Sequence, residues 1–167
     1  MPKSSVYLLI AALSSLILIF VLRWQGEELV TPLTPSGILA LEFASTPEKL
    51  TTILSIWNKE AVQKNILIDF LFVIAYTWFF ILGVAKSIGQ WNNRFMQQFG
   101  ATGIRMAFLA GILDITENIL MLQSIHGHYS VSSLQLTWYC AAIKFGIVII
   151  LLLFMIMTAV NRLFKRN

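Results

Sequence analysis

The sequence has few charged residues, and that shortage excludes most soluble folds. Only 12% of its 167 residues are Asp, Glu, Lys or Arg, whereas 57% are hydrophobic. A soluble globular domain carries about 25% charged residues, so the composition indicates an integral membrane protein. There is a single cysteine, Cys140, which excludes an internal disulfide.

The familiar catalytic motifs are missing as well. The sequence contains no HExxH, no glycine-rich phosphate loop, no serine elbow and no DxxD pair. His126 and His128 lie in a predicted loop, where unliganded surface histidines are more common than a metal site. The residues therefore predict no metal site, indicate no cofactor, identify no catalytic group and leave open whether the protein is an enzyme.

Four long apolar runs are present instead, each close to the roughly 20 residues that cross a bilayer. They predict spans at about residues 5–23, 65–87, 101–125 and 132–160, all helical because a lone strand cannot satisfy its backbone in lipid. The first run lacks a small-x-small cleavage site, which favours a retained anchor over a signal peptide. We predict one all-α domain over residues 1–167, an integral membrane four-helix bundle.

The segment between the first two spans predicts an additional amphipathic helix over about residues 46–61. "STPEK" is typical of a helix start, with Ser45 or Thr46 as the cap and Pro47 in the first turn. Apolar residues then recur at helical spacing: Leu50, Ile53, Leu54, Trp57 and Ala61. This helix either lies in the membrane interface or covers the end of the bundle, and in both cases it forms a lid.

The basic residues indicate orientation. The basic residues that give the net charge of +4 are not clustered into a patch, so no nucleic-acid partner is expected. The predicted partner is the lipid bilayer. Half of the twelve lysines and arginines flank the spans on one side, at Lys3, Lys86, Arg94, Arg162, Lys165 and Arg166, whereas the link "SIHGHYSVSS" has none. The positive-inside rule then places both termini in the cytoplasm, although four basic residues between 23 and 64 count against this orientation.

The third span carries polar groups in "LAGILDITENILML". Asp114, Glu117 and Asn118 are spaced i, i+3 and i+4, so they share one helix face. The same stripe continues through small residues, which mark close helix contacts in membranes: Gly103, Ala107, Ala110 and Gly111. The carboxylates are therefore expected to point into the bundle.

Other segments bring polar groups to a similar depth, given a rise of about 1.5 Å per residue. Asp69 and Tyr76 lie on one face of the second span, Lys144 lies on the fourth, and Glu42 precedes the predicted lid helix. We predict one connected ligand-binding pocket in the outer half of the bundle, formed by Glu42, Asp69, Tyr76, Asp114, Glu117, Asn118 and Lys144.

The charges of this set suggest its function. An unpaired charge in the bilayer centre costs at least about 3 kcal/mol, and Lys144 can pair with Asp114 or Glu117. The surplus acids must be protonated, hydrated or bound to a cation. The leading hypothesis is binding or passage of a small cation, a proton or an amphipathic, lipid-like ligand.

Two alternatives remain. The protein could be an enzyme acting on a lipid or isoprenoid, with Lys144 holding an anionic headgroup. It could also be a structural or accessory subunit whose ion pairs fix helix register. The sequence leaves open whether it forms a homo-oligomer.

Four segments occur together in a recognisable order: "SGILALEFAST", "LIDFLFVIAYT", "ILDITENILML" and "IKFGIV". Together they resemble a family of uncharacterised small bacterial four-span membrane proteins, over most of residues 36 to 150. The resemblance implies a four-span fold in a bacterial inner membrane. It also implies a site at the same seven residues.

Overall fold

The structure, a computed structural model, describes residues 3–164, so Lys165 and Arg166 of the predicted topology lie outside the described residues. The described part of the chain is helical and contains no β-strand. Within residues 3–164, four helices are long and apolar enough to cross a membrane, which confirms the all-α prediction and the four apolar runs. They are α1 (Lys3–Gln25), α4 (Lys59–Ile88), α5 (Arg94–Ile125) and α6 (Val131–Phe164).

Residues 26–58, here called the connecting segment, join α1 to α4. They form a 3-10 turn (Gly26–Leu29), a one-turn helix α2 (Leu39–Glu42) and the short helix α3 (Pro47–Ile56). Leu29, Leu41 and Leu50 of this segment are buried together with Ile66 of α4 and Met121 of α5. The connecting segment is therefore packed onto the ends of the long helices by its own hydrophobic core.

The predicted amphipathic helix over about 46–61 is shorter in the structure. Thr46 caps α3 by accepting from the backbone N–H of Lys49 at 3.4 Å, and Pro47 lies in the first turn, as expected. The helix then ends at Ile56, because Trp57 adopts an extended backbone and its indole N–H donates to Thr34 at 3.1 Å. Asn58 accepts from the N–H of Glu60 and caps α4, so residues 59–61 belong to the next helix.

Helix α4 is the centre of the packing, since α1, α5 and α6 all pack against it, and α5 and α6 also pack against each other. The small residues predicted to mark close contact, Gly103, Ala107, Ala110 and Gly111, are all buried on α5. At Gly111 the approach to α4 is tight, because a Cβ atom there would lie 2.6 Å from Oγ1 of Thr77.

Because of this close approach, we expect alanine substitutions at two helical glycines, Gly111 and Gly83, to change the free energy of unfolding by different amounts. Gly111→Ala should lower the free energy of unfolding by about 1–3 kcal/mol, since β-branched Thr77 has little rotamer freedom in a helix and the helices must separate. Gly83→Ala should change it by no more than about 1 kcal/mol, because its new Cβ would meet the flexible end of Met155. Thermal unfolding of both purified variants in detergent measures this; equal melting temperatures would contradict it.

Candidate functional site

The site is centred on the ammonium group of Lys144, which is 6% exposed. Its Nζ donates to Oδ1 of Asp114 at 2.8 Å and to Oε1 of Glu117 at 3.1 Å. Oε2 of Glu117 also lies 3.1 Å from Nζ, and Oε2 of a third carboxylate, Glu42, lies 3.6 Å away. The sequence predicted pairing with Asp114 or Glu117; the structure confirms a buried lysine–carboxylate cluster in which both pair with Lys144 and Glu42 joins them.

Helical spacing positions these groups as the sequence predicted. Asp114, Glu117 and Asn118 share the buried face of α5, with exposed fractions of 3%, 0% and 1%. Lys144 lies on the buried stripe of α6 that also contains Cys140. Glu42, at the end of α2, is 7% exposed, so the connecting segment carries a carboxylate into the interior.

Two further hydrogen bonds extend the cluster to α4. The hydroxyl of Tyr76 donates to Oδ2 of Asp114 at 2.8 Å, so both oxygens of Asp114 accept a hydrogen bond. The side-chain amide of Asn118 donates to Oδ2 of Asp69 at 2.6 Å. The structure thus brings all seven predicted site residues into one region, with Asp69 and Asn118 paired beside the lysine-centred group.

The cluster contains more negative than positive groups. Glu42, Asp69, Asp114 and Glu117 would together carry a charge of −3 with Lys144 if all five groups were ionised. Two buried oxygens, Oε2 of Glu42 and Oε2 of Glu117, accept no hydrogen bond from any described residue. Burial raises the pKa of the Glu42 carboxyl, against the opposing effect of the Lys144 ammonium.

A cavity of about 490 Å³, here called the cleft, lies between α1, α4 and α6. Its walls are mainly apolar and include Leu16 of α1, Phe72 of α4 and Phe145 of α6. Four charged side chains of the cluster also line it: Glu42, Asp69, Asp114 and Lys144. The cleft therefore combines a long hydrocarbon surface with one acidic end.

A second cavity of about 410 Å³, here called the vestibule, lies beneath the connecting segment. It is lined by Arg23 at the end of α1, by Ser36 and by Asn65. The cleft and the vestibule share four lining residues, Ile19, Leu39, Glu42 and Asp69. The two cavities consequently adjoin at the acidic end of the cleft.

The contribution of α1 to the site was not predicted. Asn65 of α4 donates to the carbonyl of Leu22 at 3.1 Å and to Oε1 of Gln25 at 2.6 Å, which fixes the end of α1 beside the cleft. Asn65 lies one helical turn before Asp69, so its spacing from a predicted site residue could have identified it as part of the site. The apolar wall that α1 supplies leaves no such signal, because its lining residues Ala12, Ser15, Leu16 and Ile19 are uncharged.

The histidines lie apart from this site. His126 and His128 are exposed, and Nδ1 of His126 lies 2.7 Å from the carbonyl oxygen of Leu122. Among residues 3–164, no group of three or more His, Cys, Asp or Glu side chains is arranged to hold a metal ion. Within the carboxylate cluster, the position between the oxygens is occupied by Nζ of Lys144.

No protein-family model matches the chain, and neither a curated protein nor a solved structure matches it. The resemblance to bacterial four-span membrane proteins stays a prediction.

Proposed function

We propose that the protein is an integral membrane four-helix bundle that binds an amphipathic cation, a hydrocarbon chain with an ammonium head, in the cleft. The four long apolar helices support the membrane assignment. The outward faces of these helices are apolar; Ile17 and Phe20 of α1, for example, are 61% and 71% exposed. Such surfaces suit lipid contact better than water.

The proposed location is a bacterial inner membrane with both termini in the cytoplasm. Lys86, Arg94 and Arg162 are at or near the ends of long helices, and the link between α5 and α6 has no lysine or arginine. This distribution supports the orientation by the positive-inside rule. The connecting segment and the acidic end of the cleft then face the outer leaflet.

One observation carries the ligand class: the apolar cleft ends on a group of carboxylates that outnumber their single lysine. Apolar walls bind a hydrocarbon chain through burial, and the surplus negative charge favours a positive head. An anionic headgroup is disfavoured, because Nζ of Lys144 already donates to Asp114 and Glu117. The enzyme alternative required Lys144 to bind an anionic lipid headgroup. These hydrogen bonds count against that role.

The binding test uses single-chain ligands with equal tails and different heads. Dodecylamine should raise the melting temperature of the purified protein in neutral detergent, whereas dodecanol and dodecanoate should not. The ammonium head supplies the charge that the cleft favours, and the other two heads do not. Equal stabilisation by dodecanoate, or none by dodecylamine, would refute the proposal and leave the structural role of the ion pairs as the better account.

Substitution of Asp69 tests the binding of the positive head most directly, because Asp69 lines the cleft and does not contact Lys144 in the cluster of ion pairs. Asp69→Asn should weaken dodecylamine binding by at least about tenfold, equivalent to roughly 1.4 kcal/mol. Glu60→Gln is the matched control, since Glu60 is an exposed acid on the same helix and does not line the cleft. Unchanged affinity in Asp69→Asn, measured by titration calorimetry, would place the head elsewhere.

A further inference from the structure

Two carboxylate oxygens that accept no hydrogen bond indicate that the site holds protons before a ligand arrives. Oε2 of Glu42 and Oε2 of Glu117 are buried and accept no hydrogen bond from the described residues. Their contact is the ion pair with Nζ of Lys144, at 3.6 Å and 3.1 Å, and that ammonium is shared with Asp114. One ammonium cannot donate to every oxygen of three surrounding carboxylates, and a buried ionised carboxylate with too few donors is costly. A protonated carboxyl group can instead donate to a neighbouring oxygen. Retained protons are thus the simplest compensation for the surplus acids.

The groups facing Glu42 come from three helices. Lys144 of α6 lies 3.6 Å from its Oε2, and Asp114 and Glu117 of α5 both contact the same Nζ. Asp69 of α4 lines both cavities together with Glu42. The residues by which α1 lines the cleft are uncharged, and its Arg23 lines only the vestibule. One ammonium therefore faces Glu42 within the cluster, against three further carboxyl groups.

An incoming ammonium head changes this balance. A positive charge placed beside the carboxyl groups favours their ionised form, so a proton that was retained in the empty site becomes easier to lose. By linkage, a ligand that lowers proton affinity must itself bind more weakly when the proton is present. Ligand and proton then compete for the same negative charge.

The vestibule offers the proton a route that does not pass through the ligand. It adjoins the cleft at Glu42 and Asp69, and its walls include the polar side chains of Arg23, Ser36 and Asn65. Arg23 is exposed at the end of α1. A hydrocarbon chain in the cleft would leave this polar side of Glu42 accessible to water.

We propose, resting on the proposed function, that the site exchanges an amphipathic cation for a proton: the cation enters the cleft while Glu42 releases its proton into the vestibule. The O–H bond of the carboxylic acid breaks, the proton leaves to water, and the carboxylate stays as a counter-ion for the bound head. Charge is conserved in the site, because one positive charge replaces another. Binding of the cation is therefore linked to the proton concentration at this end of the protein.

The test is titration calorimetry with dodecyltrimethylammonium, whose charge does not change with pH. At one pH near 7, the observed heat is compared between phosphate and Tris, two buffers with different ionisation enthalpies. The expected result is release of about one proton per bound cation, with affinity rising up to about tenfold per pH unit. In Glu42→Gln the released proton number should fall towards zero, together with the pH dependence of affinity.

The outcomes separate the two proposals. Binding without buffer-dependent heat and with an affinity independent of pH overturns the exchange and leaves the binding function standing. No binding of any long-chain cation overturns the binding function itself. Full proton release by folded Glu42→Gln would assign the proton to another group and overturn the role of Glu42. The measurements on the unaltered protein decide the exchange even if this variant fails to fold.

Discussion

Replacing Lys144 with methionine is expected to lower the free energy of unfolding by about 3–5 kcal/mol, the usual cost of removing one partner from a buried ion pair. Among residues 4–164, Lys144 is the one cation that contacts Asp114, Glu117 and Glu42. Methionine preserves the approximate length and the apolar stem of lysine, so the loss of stability measures the effect of removing the positive charge. Unfolding of the purified variant in mixed micelles with increasing dodecyl sulfate measures it.

Lys86→Met is the matched control, since Lys86 is exposed and donates to Oγ of Ser5 at 3.0 Å. Its expected change is within about 0.5 kcal/mol. Adding Asp114→Asn to Lys144→Met should recover part of the lost stability, because one uncompensated carboxylate is gone. Full recovery is not expected, since Glu42 and Glu117 remain. A Lys144→Met protein that unfolds at the same dodecyl sulfate fraction as its parent would show that the ion pairs contribute little.

Stability should fall as the pH rises, and Glu42 should be one cause. Burial raises the pKa of Glu42 in the folded protein above its ordinary 4.5. A raised folded pKa means that the stabilising contribution is fully present below that ordinary value and is lost as the pH rises through the folded pKa. The free energy of unfolding should therefore decline by up to about 1.4 kcal/mol per pH unit in that window. Glu42→Gln should remove this part of the decline.

Glu48→Gln serves as the control for this pH profile. Glu48 is exposed on α3, and hydrogen bonds from its own backbone N–H and from Thr46 lower its pKa. A lowered pKa in the folded protein gives the opposite pH dependence of stability. The stabilising contribution of Glu48 is present above its ordinary pKa and is lost as the pH falls through the folded pKa. Glu48→Gln should leave the decline at rising pH unchanged. The same slope in Glu42→Gln and the parent protein, from thermal unfolding between pH 5 and 8, would contradict the role of Glu42.

Much of the fold follows from hydropathy, but the lengths of the helices do not. The predicted third span over about 101–125 is part of a helix that begins at Arg94, where Asn93 caps the first turn by accepting from Phe95 at 2.8 Å. Hydropathy detects the apolar portion of a helix, whereas capping and polar flanks extend it. The break at Trp57 depends on its contact with Thr34, which lies 23 positions earlier in the chain. No local pattern contains that contact.

The proximity of the polar residues could be predicted because helix geometry is regular. The i, i+3 and i+4 spacing placed Asp114, Glu117 and Asn118 on one face, and depth along the helices matched them with Lys144. The entry of Glu42 between these groups depends on the turn before α2, where Gly37 adopts a positive φ of 58°. The cleft depends on how α1 and α6 are spaced around α4, which their apolar sequences do not specify.

The position of Lys144 on the last helix has a consequence for biosynthesis. Glu42, Asp69, Asp114 and Glu117 all precede it in the chain, so the ribosome completes the acidic helices before their counter-ion exists. A nascent protein that has reached α5 holds its carboxyl groups without this counter-ion, and ionised carboxylates are costly in a bilayer. The ion-pair cluster therefore cannot assemble before α6 is present, because α6 supplies Lys144.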